Sequence, residues 1–167
     1  MIALALAAAF LVWLLFIKDS GNDQTAQRAE KTVRVVSAGQ LLGALTGVGH
    51  PVYWVGGHQG VRYEVTRISD GRTYVRYLPA GAEAGSGQPF LTVGSYSVPN
   101  AYERIRRLAE RPGESSFAVQ GKGIALPNGN DPRSVYLAYP GVDVQIEVYD
   151  PAAGRALQLV KSVTPIG

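Results

Sequence analysis

No cysteine occurs among these 167 residues, which excludes disulfides, thiolate metal sites, a lipidated cysteine and a cysteine nucleophile. Histidine is almost as scarce. His50 and His58 would need a third ligand, with Glu64 and Asp70 the nearest acids; a helix-end cap and a solvated turn residue are the plainer roles. Charge is thin as well. From Thr32 onward thirteen basic residues face ten acidic ones, a surplus equal to the whole chain's +3, too weak to imply a nucleic-acid partner.

Other chemical signatures are missing too. Gly94-Ser95-Tyr96 lacks the second glycine of a nucleophile elbow and sits within a strand pattern. Gly56-Gly57 and Gly81 to Gly87 match neither a phosphate loop nor a dinucleotide fingerprint. Asp143 and Glu147, four apart on a strand, would lie about 13 Å from each other, too far for paired-carboxylate glycosidase work. Their alternation with Val142, Val144, Ile146 and Val148 predicts that both face water. No catalytic residue, cofactor or metal site is expected from the sequence.

What the chain does have is an apolar ribbon. Ile2 to Ile17 are sixteen consecutive hydrophobic residues, ended by Lys18-Asp19-Ser20. As a helix they would rise about 24 Å, slightly less than a hydrocarbon core of roughly 30 Å. Trp13 suits an interfacial depth, and the Lys18 ammonium can snorkel to the headgroups. A cleaved signal peptide is the rival, but small residues are poorly placed for cleavage after the ribbon. Residues 1–17 are therefore expected to be a transmembrane anchor that attaches to the membrane through residues 2–17. Residues 18–31 read as a polar linker, and 32–167 as a single α+β domain.

The charge bias around the ribbon, with Lys18, Arg28 and Lys31 on its C-terminal side, read literally keeps the domain cytoplasmic. The lack of a basic flank before it suggests a start upstream of Met1, which would reverse that bias. The reading adopted is an extracytoplasmic domain.

Within the domain, Thr32–Val36 reads as a strand, and Ser37 to Gln40 has capping-box form. A helix is predicted to follow to Val48, with Gly39, Gly43 and Gly47 every fourth residue to allow close packing on a sheet. Val52–Val55 and Val61–Val65 alternate as a hairpin across Gly56 to Gly60; Thr73–Leu78 and Phe90–Tyr96 form a second one. A helix is expected over 100–111, strands near 116–120, 123–126, 134–139 and 142–149, and a last helix from Pro151 to Val163 with Asp150 as N-cap.

Segments 51–111 and 115–163 share the order hairpin, hairpin, proline, helix. Ala101, Ile105 and Leu108 follow Pro99 at the offsets at which Ala153, Leu157 and Val160 follow Pro151. This is either a pseudo-twofold duplication or the ordinary likeness of any two strand–proline–helix junctions. In both cases an antiparallel sheet with about three helices results.

The best candidate binding face is the polar side of that sheet, with Arg62, Glu64, Tyr74, Arg76 and Tyr136. Aromatics beside charges suit a protein or glycan partner, although a solvated sheet looks the same. Arg104, Arg107 and Arg111 share a helix face that suits either anionic lipid or plain solvation.

The phrases HPVYW (50–54), YVRYLPAG (74–81) and LTVGSYSVPNAY (91–102) resemble a group of uncharacterised membrane-anchored bacterial envelope proteins, over most of residues 33–163. The resemblance implies an envelope location and brings no catalytic residues; the weak basic flank before the anchor departs from the usual pattern. The function expected is a membrane-tethered extracytoplasmic binding or assembly module. The alternatives are a small envelope hydrolase using His50 or His58 as base, and a cytoplasm-facing subunit of a membrane complex.

Overall fold

Period-two alternation of β-branched and aromatic residues dominates the chain after the linker, and it produces an antiparallel sheet with two dressed faces. A computed structural model describes residues 30–167; the apolar run 2–17 and most of the linker lie outside them. Among the described residues no helix is long and apolar enough to cross a membrane. The linker's last two positions belong to the sheet: Lys31 opens the first strand, and the Glu30 carbonyl accepts from the Ser69 N–H at 3.0 Å.

Ten strands form. In chain order they are β1 (Lys31–Val36), β2 (Tyr53–Trp54), β3 (Arg62–Ile68), β4 (Arg72–Leu78), β5 (Thr92–Ser97), β6 (Phe117–Val119), β7 (Gly123–Pro127), β8 (Ser134–Ala138), β9 (Val144–Tyr149) and β10 (Thr164–Pro165). Three short helices join them: α1 (Leu41–Ala44), α2 (Ala101–Ala109) and α3 (Arg155–Leu159). Eight strands make one antiparallel sheet in the order β1-β3-β4-β5-β9-β8-β7-β6, while β10 pairs with β2 alone. The fold is α+β. Two meanders, β3-β4-β5 and β7-β8-β9, meet where β5 pairs with β9.

The expected first hairpin does not form. β1 occupies the edge of β3 instead, with Val33 opposite Thr66. Val52–Val55 lies over the sheet as a covering strand: the Tyr53 N–H donates to Ser95 Oγ at 3.0 Å and the Val55 N–H to the Tyr77 hydroxyl at 2.9 Å. Sheet hydroxyls thus satisfy backbone donors that would otherwise be buried unpaired. The partner of β3 on its other side is β4, through a three-residue turn in which Gly71 adopts φ +85 and Asp70 accepts from the Arg72 N–H, a left-handed position suited to glycine.

The inner face carries Tyr63, Val65, Val75, Tyr77, Val93, Val135, Leu137, Val144, Ile146 and Val148. Leu41, Ala44 and Leu45 of α1, the β2–β10 pair, and Ala156 and Val160 at α3 close over it. On the opposite face α2 packs on β7, β8 and β9, where Ala101 and Ile105 meet Leu126, Tyr136 and Ala138.

The first and last helices are shorter than the periodicity predicts. Gln40 does reach back to the Ser37 N–H at 3.0 Å, but α1 ends at Ala44. A Cβ on Gly39 or Gly43 would meet nothing within 4 Å, so these glycines do not serve close packing. After β9, Asp150 accepts from the Ala152 N–H at 2.9 Å in a turn, and α3 starts only after Gly154. Ala156 within it and Val160 just after it are buried, while Ala153 and Leu157 are exposed. Of the three positions matched to Ala101, Ile105 and Leu108, only Val160 is packed.

Candidate functional site

Cross-strand register builds a polar row across the α2-bearing face. Val33, Thr66, Tyr74, Gly94, Glu147, Tyr136 and Leu126 stand directly opposite one another on seven successive strands. Gly94 leaves a gap in this row. The Tyr96 ring folds into it, so that a Cβ at Gly94 would collide with the Tyr96 hydroxyl. That folding brings the Tyr96 hydroxyl to Glu147 Oε2, to which it donates at 2.6 Å.

Glu147 is buried, contrary to the solvent-facing position expected of it, while Asp143 is exposed. Alternation places both on the face opposite the valines, but α2 and the Tyr96 ring cover Glu147. Ser134 Oγ donates to Glu147 Oε1 at 2.8 Å, and Tyr136 also hydrogen-bonds the carboxylate. The chain continues in both directions. Asn128 Nδ2 donates to the Tyr136 hydroxyl at 3.1 Å. On the other side Tyr74 bonds Tyr96 and Arg72, the Tyr74 and Tyr96 rings meeting edge to face at 5.7 Å.

Burial raises the Glu147 pKa, and the hydroxyls of Tyr96, Ser134 and Tyr136 oppose that rise by stabilising the carboxylate. Tyr96 is pushed well up by burial and then by the Glu147 charge; Tyr136 is also raised, by the same two causes. Burial raises Tyr74 too, against the pull of Arg72. Tyrosines shifted this way are fixed donors, the opposite of activated nucleophiles or bases.

The five residues of the candidate binding face share this side of the sheet but split into three environments. Arg62 is exposed. Glu64 and Arg76 form a largely buried ion pair at 3.2 Å. They fasten the glycine-rich loop between β4 and β5: Glu64 accepts from the Gly85 N–H, and Arg76 donates to the carbonyls of Ser86 and Gln88 and lies over Phe90 at 4.9 Å. Tyr74 is half-buried, and Tyr136 is buried beneath α2. Sequence reasoning missed Tyr96, Ser134 and Asn128, and it placed Glu147 in water. Of these only Tyr96, an aromatic two residues from a strand glycine, left a legible signal.

The histidines lie elsewhere. His50 Nδ1 donates to the Pro51 carbonyl at 2.9 Å, and its buried Nε2 makes no hydrogen bond. It borders an open cavity of about 220 Å³ with Leu42, Leu45, Thr46, Val48, Val52 and Ile166. His58 is half-buried rather than fully solvated, its ring 5.2 Å from Tyr77 and its backbone N–H donating to the Tyr63 hydroxyl at 2.8 Å. Among the described residues neither imidazole bonds a carboxylate or a serine hydroxyl, and no group of three or more His, Cys, Asp or Glu gathers to hold a metal. On α2, Arg106 pairs with Glu103 at 2.8 Å in the open.

Comparisons with protein-family models, with curated proteins and with solved structures return no match. The functional reading therefore rests on the residues themselves.

Proposed function

We propose that this chain is a membrane-tethered module whose domain lies outside the cytoplasm and binds another component of the cell envelope, a protein or a glycan. The observation that carries the binding role is the uneven cover of the polar face. α2 packs on β7, β8 and β9, while Val33, Val35 and Arg62 stay exposed beside half-buried Tyr74 and Arg72 on β1, β3 and β4. Rings, cations and small apolar groups on a rigid sheet suit recognition of an extended chain. The membrane role is supported by the sixteen-residue apolar run and the polar stretch after it. The two meanders, each followed by a helix, support a duplicated ancestral unit; the helices have since diverged, α2 packing on the polar face and α3 on the inner one.

The experiment has two arms. Membranes washed with carbonate should retain the full chain, and reporters fused at the C-terminus should be active only outside the cytoplasm; release, or cytoplasmic reporter activity, removes the address. In the second arm, the Arg62→Ala/Tyr74→Ala double variant should lose co-purifying envelope partners that the His50→Ala/His58→Ala variant keeps. Loss of phenotype in the histidine variant alone would favour the hydrolase.

A further inference from the structure

Among the described residues the sheet ends at β1, with no strand beyond it. Because Glu30 pairs with Ser69 through a backbone hydrogen bond, the residues of β1 that bond to β3 are 30, 32, 34 and 36, by antiparallel alternation. Lys31, Val33 and Val35 therefore turn their N–H and carbonyl groups outward. Their side chains lie on the polar face, where Val33 is 42% exposed and Val35 37% exposed. The strand is six residues long and contains no proline. Such an edge is a ready template for another strand unless charge or irregularity blocks it.

We propose that β1 pairs with β1 of a second copy of this chain, antiparallel about a twofold axis at Val33, joining two eight-stranded sheets into one. Outward-facing groups restrict the register to those that pair odd residues with odd residues. Centring on Arg34 would set the two Arg34 side chains opposite each other, which is repulsive. Centring on Val33 sets Val33 against Val33, Lys31 against Val35 and Thr32 against Arg34, with no like charges opposed. It also places Glu30 diagonal to the Arg34 of the other copy, twice by symmetry, an attractive arrangement.

The tethers permit this. In this register the two Glu30 residues, at which the tethers end, lie about 20 Å apart along the strands at roughly 3.3 Å per residue. Residues 18–29 of each copy, if extended, reach about 40 Å, so both apolar runs can enter one bilayer. This clause rests on the membrane reading above; the pairing itself does not.

The test uses the full chain in detergent micelles, where topology has no bearing. The chain contains no cysteine, so each introduced thiol is the only one. Val33→Cys should form a disulfide-linked dimer under mild oxidation, since directly opposed residues on such strands have Cα atoms about 5.5 Å apart, within disulfide range. Val35→Cys alone should give at least about fivefold less, being displaced four residues from its own copy. Mixing Lys31→Cys with Val35→Cys should restore the dimer. Val33→Pro should abolish association in sedimentation while keeping the unfolding midpoint, because that N–H points away from β3. Equal cross-linking of Val33→Cys and Val35→Cys, a monomer throughout, or a ladder of higher oligomers from pairing with β6 would each overturn the proposal.

Discussion

Gly94 stands directly opposite Glu147 in the β5–β9 ladder, and the space its missing side chain leaves is filled by Tyr96, whose hydroxyl donates to that carboxylate. Gly94→Ala should expel the ring and break this bond. The expected loss is about 1–3 kcal/mol, read from urea denaturation. An unchanged midpoint would mean the ring has another place to go.

Tyr96→Phe keeps the ring and deletes only the donor. A buried acceptor that loses one partner costs about 1–3 kcal/mol. Nuclear magnetic resonance titration should also show the Glu147 pKa rising further, since one stabiliser of its charged form is gone.

Glu147 gives stability a pH dependence with a definite sign. Its folded pKa lies above its ordinary value because burial disfavours the charge. Folding is thus favoured while the group is protonated, and this contribution is lost as pH rises from the ordinary glutamate range through the raised value. Measured against Glu147→Gln, the wild-type chain should fall in relative stability across that window. A flat difference, or one of opposite slope, would contradict the assignment.

The Glu64–Arg76 pair should hold the glycine-rich loop in place. Arg76→Ala leaves Glu64 buried with its cation gone, at a cost of about 3 kcal/mol. Limited proteolysis between Gly81 and Gln88 should accelerate, and simultaneous Glu64→Gln should recover part of the stability in a double-mutant cycle.

Ile105, fully buried between α2 and the sheet, is the anchor of the second core. Ile105→Ala should cost about 2–5 kcal/mol by leaving a cavity, and hydrogen exchange should then report early opening of α2.

Most of the strands were legible because period-two alternation is a local signal. The runs at Thr73–Leu78, Ser134–Tyr139 and Val142–Tyr149 fall where β4, β8 and β9 form. Partner choice was not legible, because it depends on what competes for an edge. β3 is taken by β1 from one side and by β4 from the other; Asp70-Gly71, a strong turn signal between alternating runs, marks that second hairpin. Glu147 defeated the alternation rule for another reason. A polar residue opposite a valine row faces water only if nothing lies over it, and α2 arrives from a different part of the chain. On the candidate face Arg62 stays exposed while donating to the Ala82 carbonyl, and half-buried Tyr74 bonds Tyr96 and Arg72; Glu64, Arg76 and Tyr136 are turned further inward, into contacts within the structure.

The junction of β5 with β9 has a kinetic consequence. Each meander closes through neighbouring hairpins, but the ladder that joins the two meanders pairs residues far apart in the chain, and the entropy of that long closure slows zipping. Substitutions at Val93 or Ile146 are accordingly expected to retard refolding in stopped-flow traces, while changes near Gly71 chiefly alter unfolding. The carboxylate at the middle acquires its full set of donors only when this seam shuts.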